Sequence, residues 1–80
     1  MKIDILDPRD VIREELKERN WMQRDLAEVM GMNESYLSYI MSGKSSITSK
    51  TAIKLGSAFG TGAQFWLNLE NAYRLSKKER

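Results

Sequence analysis

The sequence contains neither cysteine nor histidine. Disulfide staples, thiolate nucleophiles, Cys/His zinc sites and a histidine general base are thereby excluded. The missing cysteine also fits a reducing cytoplasm, which is the expected location. No apolar run approaches the roughly 20 residues that cross a bilayer. The N-terminal MKIDILDPRD is too acidic and too poor in apolar residues for a signal peptide, so no membrane partner is expected. A strong charge of one sign is absent as well. Thirteen Lys and Arg against eleven Asp and Glu leave +2. Arg74, Lys77, Lys78 and Arg80 against Glu79 contribute +3 of it, so residues 1–73 sum to −1. A polyanion is bound by local rather than total charge, so what matters is where the basic residues lie. The carboxylates fall mainly on helix faces predicted to be exposed, with no convergent nucleophile or metal set. Neither an enzyme nor a cofactor is therefore expected.

What the sequence does contain is helical periodicity in a chain of 80 residues, long enough for one domain with a modest core. The most informative stretch is Gln23 to Ser42, QRDLAEVMGMNESYLSYIMS, two short helical patterns separated by Gly31. Leu26, Ala27, Val29 and Met30 give the first an apolar stripe; Leu37, Ile40 and Met41 give one to the second. Two helices crossing through a tight turn need a small side chain at closest approach, which Ala27 supplies. Gly31 accepts the positive φ that commonly ends a helix. Asn33 is placed to cap the second helix by accepting from the N–H of Ser35 or Tyr36. Glu34, Ser35, Ser38, Tyr39 and Ser42 cluster roughly 140° from that helix's apolar side. One face serves a core and the other is open to a ligand.

Around this stretch, Met1 to Leu6 reads as an arm docked on the core or a short strand that pairs with a second copy. Asp7 and Pro8 read as an N-cap and first helical residue. The helix that follows points Val11, Ile12 and Leu16 inward, with Arg9, Asp10, Arg13, Glu14, Lys17 and Glu18 outward on a solvated face. Asn20 ends it in a left-handed conformation and Trp21 turns inward as an anchor. Met22 stands where a Ser or Thr cap is expected, which leaves the next helix without a side-chain cap. Beyond the central stretch, SGKSSI is a polar loop closed by Ile47. Thr48 caps a fourth helix, Ser49 to Phe59, with Ala52, Ile53, Leu55, Ala58 and Phe59 as candidate core, and Gly60 ends it. Thr61 and Gln64 have the spacing of a capping box, so a fifth helix starts near Gly62. Its main stripe is Phe65, Trp66, Leu69, Ala72 and Tyr73. A second stripe of Leu67, Asn71 and Leu75 is more apolar surface than one small core consumes, and suggests a dimer interface.

The architecture these elements imply is all-α, five helices with short loops. Residues 1–75 form one domain with the two-helix motif at 23–42, and residues 76–80 form a charged tail or the start of a linker. The spacing of Ala27, Gly31, Leu37 and Ile40 from Gln23 resembles the phage-repressor, or XRE, class of helix-turn-helix DNA-binding domains. More narrowly, DPRDVIREELKERNWMQRDLAEVMG, SGKSSIT and LGSAFGTGAQFWLNLENAYRL resemble the HigA/VapI antitoxins over about Asp7 to Leu75. The most telling part is Phe65-Trp66-Leu67-Asn68-Leu69 through Tyr73. That resemblance implies a homodimer that binds a palindromic operator in its own promoter and neutralises a RelE-like ribonuclease toxin.

If duplex DNA is the ligand, geometry assigns the roles. Gln23 and Arg24 meet a phosphate at the start of the second helix. Asn33, Glu34, Ser35, Ser38 and Tyr39 face base edges. Lys44, Ser45, Ser46 and Lys50 grip phosphates on the other side. Family members usually carry a basic residue where this chain has Glu34 or Tyr39, a departure that bears on affinity. Two other readings stay open: the DNA-binding part of a longer regulator, and an interaction module that has lost DNA binding, which Glu34 and the −1 of residues 1–73 favour.

Overall fold

The computed structural model describes residues 6–78, in which five helices follow one another. They are α1 (Pro8–Arg19), α2 (Gln23–Met30), α3 (Glu34–Met41), α4 (Ser49–Phe59) and α5 (Ala63–Lys78). Among the described residues there is no strand. Of the arm expected over residues 1–6, residues 1–5 lie outside the described part, and Leu6 is exposed. Among the described residues the architecture is all-α with five helices, as the sequence led one to expect.

Each boundary has a local cause. Asp7 Oδ1 accepts the Arg9 N–H at 2.9 Å and Pro8 opens α1. Asn20 closes it at φ 58°. Gly31, at φ 65°, ends α2 and turns the chain toward α3, where Asn33 Oδ1 accepts the Ser35 N–H at 2.7 Å. Thr48 Oγ1 accepts the Thr51 N–H at 3.3 Å to start α4. At α2 the missing Ser or Thr cap is compensated from inside the helix: Asp25 Oδ2 accepts the Met22 N–H at 2.8 Å. The capping box expected at Thr61 does not form. Thr61 Oγ1 instead accepts the Trp66 indole N–H at 2.7 Å, and Gln64 donates to Asn68 Oδ1. A buried indole needs an acceptor, and that demand claims the threonine.

The core is one cluster drawn from all five helices and the loop before α4. Ile12, Leu16, Leu26, Ala27, Met30, Leu37, Ile40, Met41, Ile47, Ala52, Leu55, Phe59 and Trp66 are buried in it. Trp21 packs against it, its ring 6.2 Å from Phe59, which in turn lies 5.9 Å from Trp66. Three apolar residues expected inside are not. Val29 is 53% and Ile53 61% exposed, and Phe65 is exposed with its ring edge-on to Trp66. At 100° per residue Ile53 falls well over 90° from the midline of the α4 residues that are buried, so its apolar character does not place it inward.

The largest correction concerns α1. Arg9, expected on the solvated face, is only 4% exposed. Its Nε donates to the Ile40 carbonyl at 2.7 Å and its Nη2 to the Ser45 carbonyl at 2.7 Å. Its Nη1 bonds Asp7 Oδ1 at 3.2 Å and Glu70 Oε1 at 3.3 Å. Glu70, also 4% exposed, uses Oε2 to accept the Ile47 N–H at 2.9 Å. One turn further along α1, Arg13 Nη2 donates to the Met41 carbonyl at 3.1 Å. The C-terminal end of α3 and the loop behind it are thus held by α1 and α5 through hydrogen bonds rather than by apolar packing alone.

Three measurements check this account. Gly56 sits inside α4 where an added Cβ would lie 2.4 Å from the Gly62 carbonyl carbon and 2.6 Å from the Ala63 nitrogen. In an open helix Gly→Ala gains about 1 kcal/mol. Here Gly56→Ala lowers stability in urea unfolding, since overpacking against backbone costs about 1–3 kcal/mol. Glu70→Ala takes from the buried Arg9 guanidinium one of its two carboxylate partners and leaves the Ile47 N–H without its acceptor, which costs about 1–3 kcal/mol in the same assay. The third concerns pH. Burial pushes the Asp7 carboxyl up, but the Arg9 N–H and guanidinium, with a smaller contribution from Tyr73, outweigh burial and hold it below its ordinary value. A depressed folded pKa means that stability is complete above the unfolded value of about 3.9 and is lost as pH falls through the folded one. Asp7→Asn keeps the cap and removes the titration. Its urea midpoint therefore falls less steeply than the parent's below about pH 4, while the offset between the two is constant above about pH 5.

Candidate nucleic-acid interface

α3 has eight residues, and three of them, Leu37, Ile40 and Met41, fill the core. The remaining five, Glu34, Ser35, Tyr36, Ser38 and Tyr39, are exposed, as are Asn33 before the helix and Ser42 after it. The predicted groove-facing set of Asn33, Glu34, Ser35, Ser38 and Tyr39 therefore lies together on an outward surface. Asn33 spends its carbonyl oxygen on the cap, which leaves its amide N–H2 to donate. Glu34 occupies the first turn of α3, where the positive end of the helix dipole favours a carboxylate. It has a local reason to be there that does not depend on a ligand.

The predicted phosphate contacts are distributed around this surface. Gln23 is half-buried as the first residue of α2 and Arg24 beside it is exposed, its Nη2 3.5 Å from the Met22 sulfur. Lys44 is exposed just past the C-terminal end of α3, where Gly43 turns the chain at φ 84°. Lys50 is exposed in the first turn of α4. Ser45 and Ser46 are half-buried, and the carbonyl of Ser45 is taken by Arg9. They brace the loop from within as well as bordering the surface.

Two neighbours of this surface were not singled out from the sequence. Tyr36 stands exposed on the flank of α3 nearest α4, and Lys54 is half-buried one turn beyond Lys50. Together with Met32, Thr48, Lys50 and Thr51 they line a cleft of about 310 Å³. The four-residue spacing from Lys50 could have found Lys54, since it puts both ammonium groups on one side of α4, whereas Tyr36 joins them only through the packing of α3 beside α4.

The second apolar stripe of α5 divides. Leu67 is half-buried against the core, whereas Asn71 is exposed and Leu75 is 60% exposed, beside Arg74 and Lys77. α5 continues to Lys78, into the segment read as tail or linker. Among the described residues no group of three or more Asp or Glu side chains is placed to hold a metal ion, and no helix is long and apolar enough to cross a membrane.

Comparison with known proteins agrees with this geometry. The helix-turn-helix family HTH_3 matches residues 12–66. Over 73 residues the chain is 40% identical to the uncharacterised HTH-type transcriptional regulator YddM of Escherichia coli K12, covering 91% of this chain and 78% of that one. It is 34% identical over 76 residues to virulence-associated protein I of Dichelobacter nodosus, covering 94% and 70%. Its fold matches that of the Pseudomonas aeruginosa antitoxin HigA, solved with the higBA promoter, at a TM-score of 0.85 and 30% identity, covering 94% and 83%. The chain belongs to the XRE-type helix-turn-helix family, among its HigA/VapI members.

Proposed function

We propose that the chain is a sequence-specific DNA-binding repressor and the antitoxin of a HigBA-type operon. It binds a palindromic operator in its own promoter as a homodimer and neutralises a RelE-like ribonuclease toxin. The observation that carries the DNA reading is the outward polar face of α3, anchored at both ends, in a chain whose fold matches that of a HigA solved with its promoter. Ser35, Ser38 and Tyr39 read base edges in the major groove, with the Asn33 amide at one end; a good bidentate contact is worth about 1–3 kcal/mol of discrimination. Gln23, Arg24, Lys44 and Lys50 hold the phosphates and set the register. Ser45 and Ser46 support Lys44. The exposed Leu75 and Asn71 of α5 belong to the dimer interface, which sets two α3 helices about one DNA turn, roughly 34 Å, apart.

The test is a titration of duplex from upstream of the gene, against random duplex, at two salt concentrations. Binding weakens steeply as salt rises, because each neutralised phosphate releases counterions. Lys44→Ala weakens binding to both duplexes alike, whereas Ser38→Ala and Tyr39→Ala lower the preference for the operator. Equal losses on both duplexes for all three variants remove the groove assignment. Binding that ignores salt removes the DNA reading.

A further inference from the structure

The cleft beside α3 has a composition that the roles above leave unexplained. It is lined by Met32 and Tyr36 on one side and by Thr48, Lys50, Thr51 and Lys54 on the other. Lys50 and Lys54 stand four residues apart, an arrangement in which like charges repel and destabilise a helix. Neither forms an ion pair among the described residues. No acidic residue occupies the first turn of α4, so the positive end of that helix adds to theirs. The Tyr36 ring is exposed and its hydroxyl has no protein partner among the described residues. A concave site with two unanswered ammonium groups and a phenolic donor calls for an oxyanion, and its position says which one. Tyr36 is in the first turn of α3, next to the groove-facing residues and at the end opposite Lys44. Eight helical residues span about 12 Å, close to the width of a major groove, also about 12 Å. Groups at the two ends of α3 therefore reach the two strands that border that groove.

We infer that this cleft seats a backbone phosphodiester of the operator, on the strand opposite the one held by Lys44, which makes Tyr36 and Lys54 DNA contacts and parts Lys50 from Lys44, with which the sequence had grouped it. The inference rests on the DNA-binding reading above and adds a second anchoring strand to it. The experiment compares salt dependence of operator binding for the full chain and for Lys54→Gln, Lys50→Gln, Tyr36→Phe and Lys44→Gln, with folding of each followed by circular dichroism. Each lysine that neutralises a phosphate contributes about 0.9 to the slope of log affinity against log salt. Lys54→Gln and Lys50→Gln each lower the slope by about that amount, on operator and random duplex alike. Tyr36→Phe weakens binding roughly tenfold and leaves the slope unchanged, since a neutral donor displaces no counterion. If Lys44→Gln lowers the slope while Lys54→Gln and Tyr36→Phe match the parent, the cleft assignment is overturned and the DNA reading stands. If the parent binds neither duplex in a salt-dependent way, both fall.

Discussion

A guanidinium buried to the extent of Arg9 has to have its N–H groups answered, and the way they are answered organises the molecule. Two of its bonds go to backbone carbonyls, of Ile40 at the end of α3 and of Ser45 in the following loop. Its charge is met by Glu70 of α5 and by Asp7. Glu70 in turn fixes the Ile47 N–H. The last carbonyls of a helix have no partner within it, and they form the negative end of its dipole, so a cation is the preferred cap. Eight residues are too few for a helix to persist alone in water. α3 exists because Leu37, Ile40 and Met41 are buried, because Asn33 closes its first turn, and because Arg9 and Arg13 close its last. Among the described residues no buried side-chain nitrogen or oxygen lacks a partner, so the network carries no penalty for an orphaned polar group.

Anchoring α3 from behind and at both ends has a functional consequence. None of the side chains of Ser35, Ser38 and Tyr39 is needed to form the helix, and all are exposed. They can therefore be exchanged without disturbing the core, which is what a reading surface requires if specificity is to change while the fold does not. Glu34 is different. Its carboxylate complements the start of α3, so its place on the outward face has a cause within the helix and is not by itself a sign that DNA binding has been lost.

The sequence made the helices, the turn at Gly31, the caps at Asp7, Asn33 and Thr48 and the position of the outward face legible, because each is decided within a few residues. It concealed what is decided between helices. Arg9 was read as solvated because it is charged, yet with Ile12 and Leu16 it shares the i, i+3, i+7 spacing of the buried stripe. Glu70 likewise falls between Trp66 and Tyr73 at four and three residues. Two opposite charges on two apolar stripes are the pattern of a buried pair, but which stripe faces which is a tertiary fact. Ile53 and Val29 fail in the reverse direction, as apolar residues at angles that face water. The cleft was concealed for the same reason: Tyr36 and Lys54 become neighbours only when α4 packs beside the two-helix motif. Of the interface itself, the residues on α3 were readable from one helix, while the roles of Ser45 and Ser46 were altered by the Arg9 bond to their loop.

The near-neutral charge of residues 1–73 then ceases to argue against a polyanionic partner. Asp7 and Glu70 are answered by Arg9, with Arg74 beside Glu70; Asp10 is paired with Arg13 and Glu15 with Arg19. Asp25 is engaged in capping α2. Charges in close opposite pairs make little field beyond about 10 Å at 0.1 M salt. Lys44, Lys50 and Lys54 form no ion pair among the described residues, and they border the α3 surface. Among the residues assigned to that surface, Arg24, Lys44, Lys50 and Lys54 outnumber Glu34, the one carboxylate among them, and this local balance rather than the sum over the chain is what a polyanion meets. The pairs that engage Asp7, Asp10, Glu15 and Glu70 thus answer Arg9, Arg13 and Arg19 rather than the lysines, which among the described residues remain free beside α3.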